Sequence, residues 1–313
     1  MAAFIARRFL YMVPTVFLIS LVAFVIIQLP PGDYLTTLMA QYASQGESLD
    51  QAQLDAMNER YGLDQPFFVQ YWKWISGIMF HLDFGQSFEW SQSVSGLLAD
   101  RLPLTMALAG LTLLLTWFVA VPLGVFSAVK QYSIGDYVAT TIGFLGLATP
   151  NFLLALVMLW VAFSTFGLSV GEANPVTFAI AILVLGTAGT AGLIRILRAN
   201  LLDELRKPYV VAARAQGLPE GRLLVKYPLR VAMNPFFSTI GWLLPSLVGG
   251  EVIVATVMNL NTVGPLLLGA LRSQDMYLAG SIILILGVLT VLGTLISDIA
   301  LAWLDPRVRL RYR

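Results

Sequence analysis

The sequence predicts an all-α polytopic membrane protein with six transmembrane helices and with its N- and C-termini on one side of the membrane. Three observations predict it. Of 313 residues, 58% are hydrophobic and only 12% charged, and the mean hydropathy is +0.77; soluble domains carry roughly 25% charged residues. The apolar residues fall in six runs long enough for a hydrocarbon core of about 30 Å. Lys and Arg collect beside particular runs, as the positive-inside bias requires. A net charge of +1 offers no basic surface to a nucleic acid. With no cysteine in the chain, disulfides and thiolate metal sites are ruled out.

In order, the runs are Phe9–Leu29, Leu102–Val129, Tyr137–Phe166, Val176–Ile194, Phe236–Met258 and Met276–Trp303. Backbone groups in lipid find no water, so each run is expected to be helical. The short alternating segments of an outer-membrane barrel are missing. The longer runs exceed the usual twenty or so residues, which tilt or extension out of the lipid would accommodate. Arg7 and Arg8 give the first run the look of a signal peptide. Its apolar stretch is too long for one, and Pro30-Pro31-Gly32 follows in place of a small-residue cleavage site. It is expected to stay as an anchor.

With the N-terminus in the cytoplasm, fifteen of the nineteen basic residues fall inside: Arg7 and Arg8, Lys130, eight from Arg195 to Arg230, and four in the tail, Arg307, Arg309, Arg311 and Arg313. Both termini are therefore expected to be cytoplasmic. The chain then divides into an N-terminus with the first helix (1–29), an external segment (30–101) and a five-helix core (102–313) holding a cytoplasmic loop at 195–235. The external segment carries an acidic excess, including Asp33, Glu47, Asp50, Asp55 and Glu59, and dense aromatics from Tyr61 to Trp90. It reads either as an interfacial aromatic belt with amphipathic helices or as a docking platform. The single histidine, His81, reads as an ordinary surface or packing residue.

Inside the spans, Glu251 and Asp298 are the ionisable residues. A charge there must face a cavity, a partner or the interface, or become neutral. Asp298, near the inner end of the last run, is expected to be structural. Glu251 either lines a pathway or makes a structural hydrogen bond. Gly186, Gly189 and Gly192 recur at three-residue spacing in the fourth run, a pattern that permits close helix packing or a pore-lining surface.

The inner loop is too polar to span. Pro208 can open a short helix and Gly217 can close it in the left-handed region. Pro219 can open a second helix, which Pro228 ends or kinks. The first helix is rich in small residues, Ala212, Ala213 and Ala215, with Arg214 projecting a charge. A basic loop of this kind either hugs anionic lipid or lets another surface approach its backbone.

That stretch, Tyr209-Val-Val-Ala-Ala-Arg-Ala-Gln-Gly-Leu218, resembles the EAA loop of ABC-importer permeases in its peptide-permease form. Segments in family order extend the resemblance over nearly the whole chain: Arg7-Arg8, Pro31-Gly32-Asp33, Tyr61 to Pro66, Asp83 to Ser87, Arg101-Leu102-Pro103 with Thr105, Thr149-Pro150-Asn151-Phe152 and Asp305 to Arg309. The chain is identified as a member of the dipeptide/oligopeptide (peptide/nickel) permease family. It departs from the pattern at Val211, where the general family has glutamate, at Pro228 for a histidine, at Ala255 for a glutamate, and at Asn261-Thr262 for Pro-Gly.

The resemblance implies a type I ABC importer permease fold in a bacterial inner membrane. It implies that Tyr209, Ala212, Ala213, Arg214, Ala215, Gly217 and Leu218 form the coupling helix that docks on an ATPase. Six spans make half a pathway, so the implied partners are a second homologous permease subunit, two cytoplasmic ATPases and an extracytoplasmic binding protein. ATP and Mg are expected on the ATPases, because this chain has no Gly-x-x-x-x-Gly-Lys-[Ser/Thr] loop. No His-Glu-x-x-His or Gly-x-Ser-x-Gly pattern supports a hydrolase either. Transport would follow ATP-driven alternating access. The family's default cargo is a di- or oligopeptide, with oligosaccharides the alternative; nickel chelates and glutathione are carried by other relatives. An ion-coupled secondary transporter with Glu251 as coupling group is the remote rival.

Overall fold

A computed structural model describes residues 2–28, 65–87, 89–167, 174–273 and 275–304. The acidic and aromatic residues expected between Asp33 and Asp64, the aromatic Phe88 and the motif Asp305 to Arg309 lie outside the described residues. The helices are α1 (Ala2–Gln28), α2 (Phe67–His81), α3 (Val94–Val129), α4 (Ile134–Ala148), α5 (Asn151–Phe166), α6 (Pro175–Leu205), α7 (Pro208–Ala215), α8 (Glu220–Lys226), α9 (Pro228–Ala232), α10 (Asn234–Val257), α11 (Val263–Arg272) and α12 (Met276–Leu304). Between α2 and α3, β1 (Gln86–Ser87) and β2 (Gln92–Ser93) pair antiparallel, with Gln86 opposite Ser93.

Among the described residues, α1, α3, α6 and α12 contain stretches long and apolar enough to cross a membrane. Over the expected run Phe236–Met258 lies α10, a helix of 24 residues. The expected single span Tyr137–Phe166 is instead two helices, α4 and α5, meeting at 103°. The cause is local. Proline disfavours helical backbone in the residue before it, and Thr149 is extended, with ψ 121°. Pro150 then opens α5 with ψ 132°.

Three helices outrun their expected ends by seven residues or more, and α1 does so by starting at Ala2, seven residues before Phe9. Val94 starts α3 eight residues before Leu102. Helix α6 does not stop at Ile194 but continues to Leu205, so eleven residues of the expected inner loop are helix. Its N-terminus is set by Pro175 at the first position and by a reciprocal cap. Asn174 accepts from the Thr177 amide at 2.9 Å, and the Thr177 hydroxyl receives the Asn174 amide at 3.1 Å. Nothing breaks the helix before the stop at Pro208.

The chain forms two compact units. One comprises Met1–Met12, Leu104–Pro265 and Leu289–Arg313; the other comprises Val13–Pro103 and Leu266–Val288. In the first unit, α6 is the common partner of α4, α5, α9 and α10. Toward its N-terminal half, Ala181 and Val184 pack with Leu108 of α3, Ala155 of α5 and Val254 of α10. Toward its C-terminal half, Leu197 and Leu201, fully buried, meet Ala120 and Ala128 of α3 and Phe236 of α10. Small residues admit these approaches, the usual route to helix association in lipid. A Cβ on Gly124 would stand 3.0 Å from Leu197.

The second unit is built around Phe24 of α1. Its ring lies 5.2 Å from Phe67 and 5.5 Å from both Tyr71 and Trp74 of α2. Ser20 and Tyr71 share a hydrogen bond at 2.7 Å. Asp275, buried just before α12, accepts from the Leu278 amide (3.2 Å), the Ser87 hydroxyl (2.5 Å) and the Glu89 amide (3.3 Å). One carboxylate thus caps a helix and ties down the hairpin. His81 ends α2 on the surface.

Candidate functional site

The two-helix loop that follows α6 forms where its punctuation places it. Lys207 is extended, Pro208 occupies the first position of α7, and Gly217 turns the chain out with φ +80°. That angle belongs to the left-handed region, which costs an L-residue about 1–2 kcal/mol. The Gly217 amide closes the turn on the Arg214 carbonyl at 3.0 Å. Pro219 precedes α8, and Tyr227, with φ −114° and ψ −81°, separates α8 from α9, which Pro228 opens.

Helix α7 is two-sided. Val210 and Ala213 turn inward onto the fully buried Leu223 of α8, with Leu218 half-buried beside them. Tyr209, Val211, Ala212, Arg214, Ala215 and Gly217 are exposed. The seven expected coupling residues therefore split. Ala213 and Leu218 fasten α7 to α8, whereas Ala212, Ala215 and Gly217 form a small-residue face. A Cβ on Gly217 would meet nothing within 4 Å, so its need is conformational and not steric. Val211, at the position where the resemblance has glutamate, presents an apolar surface on the same exposed side.

Two of the seven carry polar bonds. Arg214 forks onto Glu220 of α8 through Nε–Oε1 and Nη2–Oε2, and this guanidinium holds the Glu220 carboxyl below its usual range. Tyr209 donates its hydroxyl to Glu204, which also receives Lys207 Nζ. Glu204 is nearly buried in the last turn of α6. A carboxylate is disfavoured at a helix C-terminus, so these two donors compensate it. Sequence reading did not single out Glu204; its signal is the spacing to Lys207 and Tyr209, three and five residues on.

A second cluster, also missed, lies on α6 six residues earlier. Arg198 donates to Asp136 through Nε–Oδ1 (3.0 Å) and Nη2–Oδ2 (2.9 Å). The same carboxylate receives the Ser127 hydroxyl and the Tyr132 amide, the latter at 3.0 Å. Asp136 is 2% exposed and all its acceptor capacity is used. Ser133 caps α4 by accepting from the Asp136 amide, so Ser133-x-x-Asp136 was a legible helix start. Its long-range partner was not.

The pathway candidates separate. Gly186 and Gly189 press on Thr116 of α3, with a Cβ on either standing 3.5 Å from that residue, while a Cβ on Gly192 would meet nothing within 4 Å. Gly186 also lines an apolar groove of about 680 Å³ with residues of α3, α4 and α6. Glu251 is fully buried, 1% exposed. The Thr262 hydroxyl and Gly264 amide face its carboxylate, yet Glu251 Oε1 and Thr262 Oγ1 complete no hydrogen bond. Asp298 pairs with Arg8 at 2.9 Å, and Arg230 Nε donates to the Leu304 carbonyl at 3.1 Å.

The chain belongs to the family of binding-protein-dependent transport system inner membrane components, whose model matches residues 120–310; the N-terminal model for membrane components of that system matches residues 1–109. It is a multi-pass inner-membrane permease of an ABC importer. It is 36% identical over 321 residues to the oligopeptide transport system permease protein AppB of Bacillus subtilis, covering 98% of this chain and 99% of that one. A putative peptide permease protein of Brucella ovis is 32% identical, with 93% of this chain and 94% of that one covered. The nickel import system permease protein NikB of Staphylococcus aureus is 27% identical, with 98% and 92% covered. Among solved structures, the inward-facing MetNI methionine ABC transporter matches with a TM-score of 0.54 at 18% identity, covering 67% of this chain and 96% of that one. That likeness fixes the fold as a type I importer's.

Proposed function

We propose that this chain is one of two homologous permease subunits of an importer for di- and oligopeptides. It crosses the membrane six times with both termini in the cytoplasm, and supplies half of a pathway that alternates its access as ATP is hydrolysed. The observation that carries the reading is the two-sided α7, whose Ala213 side is fastened to α8 while Ala212, Ala215 and Gly217 leave backbone open to a docking surface. The partners are the second permease subunit, two cytoplasmic ATPases that bind ATP and Mg, and an extracytoplasmic binding protein that supplies most of the substrate affinity. The chain itself hydrolyses nothing.

The peptide assignment is supported by the end-to-end likeness to an oligopeptide permease. A nickel chelate is the second reading, favoured by the full-length likeness to a nickel import permease. ATPase activity of the complete complex in liposomes, with binding protein loaded from peptide, nickel-chelate or oligosaccharide panels, decides the cargo. Stimulation by peptides alone supports the first reading, and stimulation by chelates or sugars alone replaces it. Gly217→Pro tests the coupling role. Proline fixes φ near −65°, incompatible with +80° at this position, so the variant is expected to reach the membrane and to lose transport. Normal uptake by a well-expressed Gly217→Pro protein would sink the assignment. Uptake by this chain alone, without ATPases, would establish the secondary-transporter rival.

A further inference from the structure

We infer that Glu204, Arg198, Asp136 and Ser127 form a polar relay that carries displacement of α7 into α3 and α4, so that Asp136 and Arg198 are positioning residues for transport. The inference rests on the coupling role proposed for α7.

The joint between α6 and α7 is only Arg206 and Lys207. Two residues of free backbone would absorb a small movement of α7 as a change in dihedral angles. Here side chains bridge the joint. Glu204, in the last turn of α6, accepts from Lys207 immediately before α7 and from Tyr209 in its first turn. Glu204 is 7% exposed, so its carboxylate is the fixed end of the bridge, which Lys207 and Tyr209 reach from the exposed side. Movement of α7 is therefore passed to the end of α6.

The end of α6 is in turn not free to bend. Leu197 and Leu201 are fully buried against α3 and α10, and α6 runs as one helix from Pro175 to Leu205. Six residues before Glu204, about 9 Å along the axis, Arg198 projects from a different side of the helix. Its guanidinium holds Asp136 by two parallel bonds, and Asp136 also receives Ser127 near the end of α3 and Tyr132 in the turn before α4. One carboxylate thus gathers the ends of α3, α4 and α6. A bidentate guanidinium–carboxylate pair fixes orientation as well as distance. A buried ion pair adds little net stability over well-packed apolar side chains; what this one supplies is direction, since α3 and α4 must follow the end of α6.

The test is transport and ATPase activity of the complete reconstituted complex carrying Asp136→Asn, with Ser127→Ala as the milder variant should Asp136→Asn fail to assemble. Asn keeps the shape but loses the charge and one acceptor. The expected result is an assembled complex whose melting temperature falls, since one partner of the pair is removed from a buried position, and whose basal ATPase rate stays at the wild-type level. The substrate transported per ATP hydrolysed should fall by about 5- to 150-fold for Asp136→Asn, the span of a typical coupling free energy, and by less for Ser127→Ala. A residue that only supports the fold would lower transport and ATPase activity together and leave the substrate transported per ATP unchanged. Gly217→Pro is assayed alongside. If Gly217→Pro is inactive while the relay variants keep wild-type transport per ATP, the relay is overturned and the role of α7 stands. If Gly217→Pro also transports normally, the reading of α7 itself has failed.

Discussion

At Gly217 and at Arg214, neighbours on one turn, the same loop uses two unrelated kinds of physics. Gly217 is required for its dihedral angle, since a Cβ there would meet nothing within 4 Å. Gly217→Ala should therefore cost about 1–2 kcal/mol and leave transport measurable, unlike Gly217→Pro. Arg214 and Glu220 make an exposed ion pair, of the sort that solvent and salt screen. Arg214→Ala is expected to leave the melting temperature of the purified complex unchanged. Glu220 is held below its usual range by Arg214, so whatever the pair contributes is present above the ordinary glutamate range and is lost only as pH falls through the depressed value. Melting measured between pH 6 and 8 should show no dependence on this pair. The sequence was legible at Pro208 and Gly217 because a proline or glycine acts through its own backbone. It was mute about Asp136 with Arg198, whose pairing joins residues 62 apart, and about Glu204, whose value depends on the α6 C-terminus lying there.

Among the elements, the expected runs located the helices well but not their ends. Hydropathy stops at Ile194, whereas α6 continues to Leu205 because helix propensity and packing, not lipid, decide where it ends. Close approaches between elements were likewise invisible in single runs. Gly287 is one of these: a Cβ there would stand 2.4 Å from Ile19 Cγ2 of α1. Gly287→Ala is expected to lower stability by about 1–3 kcal/mol, the usual cost of overpacking, read as a fall in melting temperature. Asp275 makes a complementary case through hydrogen bonds. Asp275→Ala removes the cap of α12 and the anchor of the β1–β2 hairpin at once. Loss of such a cap costs about 0.5–2 kcal/mol, and amide exchange across residues 86–93 should speed up.

For the whole molecule, composition and charge bias were enough to define a polytopic membrane protein, because both report the solvent and not the detailed packing. The proposed topology is directly testable, since the chain has no cysteine. With a membrane-impermeant thiol reagent on intact cells, Ser91→Cys should be labelled and Ala215→Cys should not; the reverse pattern would invert the orientation. Among the described residues, composition misrepresented the run 137–166, which is broken at Thr149-Pro150. Its halves hold 15 and 16 residues, or about 22–24 Å of helix each, short of a core of about 30 Å. During synthesis, then, neither half can leave the translocon as a self-sufficient anchor. Both pack on α6, which emerges from the ribosome after them. In membrane-bound chains arrested before α6, residues 134–166 should be open to added protease, and in chains arrested beyond Leu205 they should be protected: this stretch is inserted on credit and secured only by its successor.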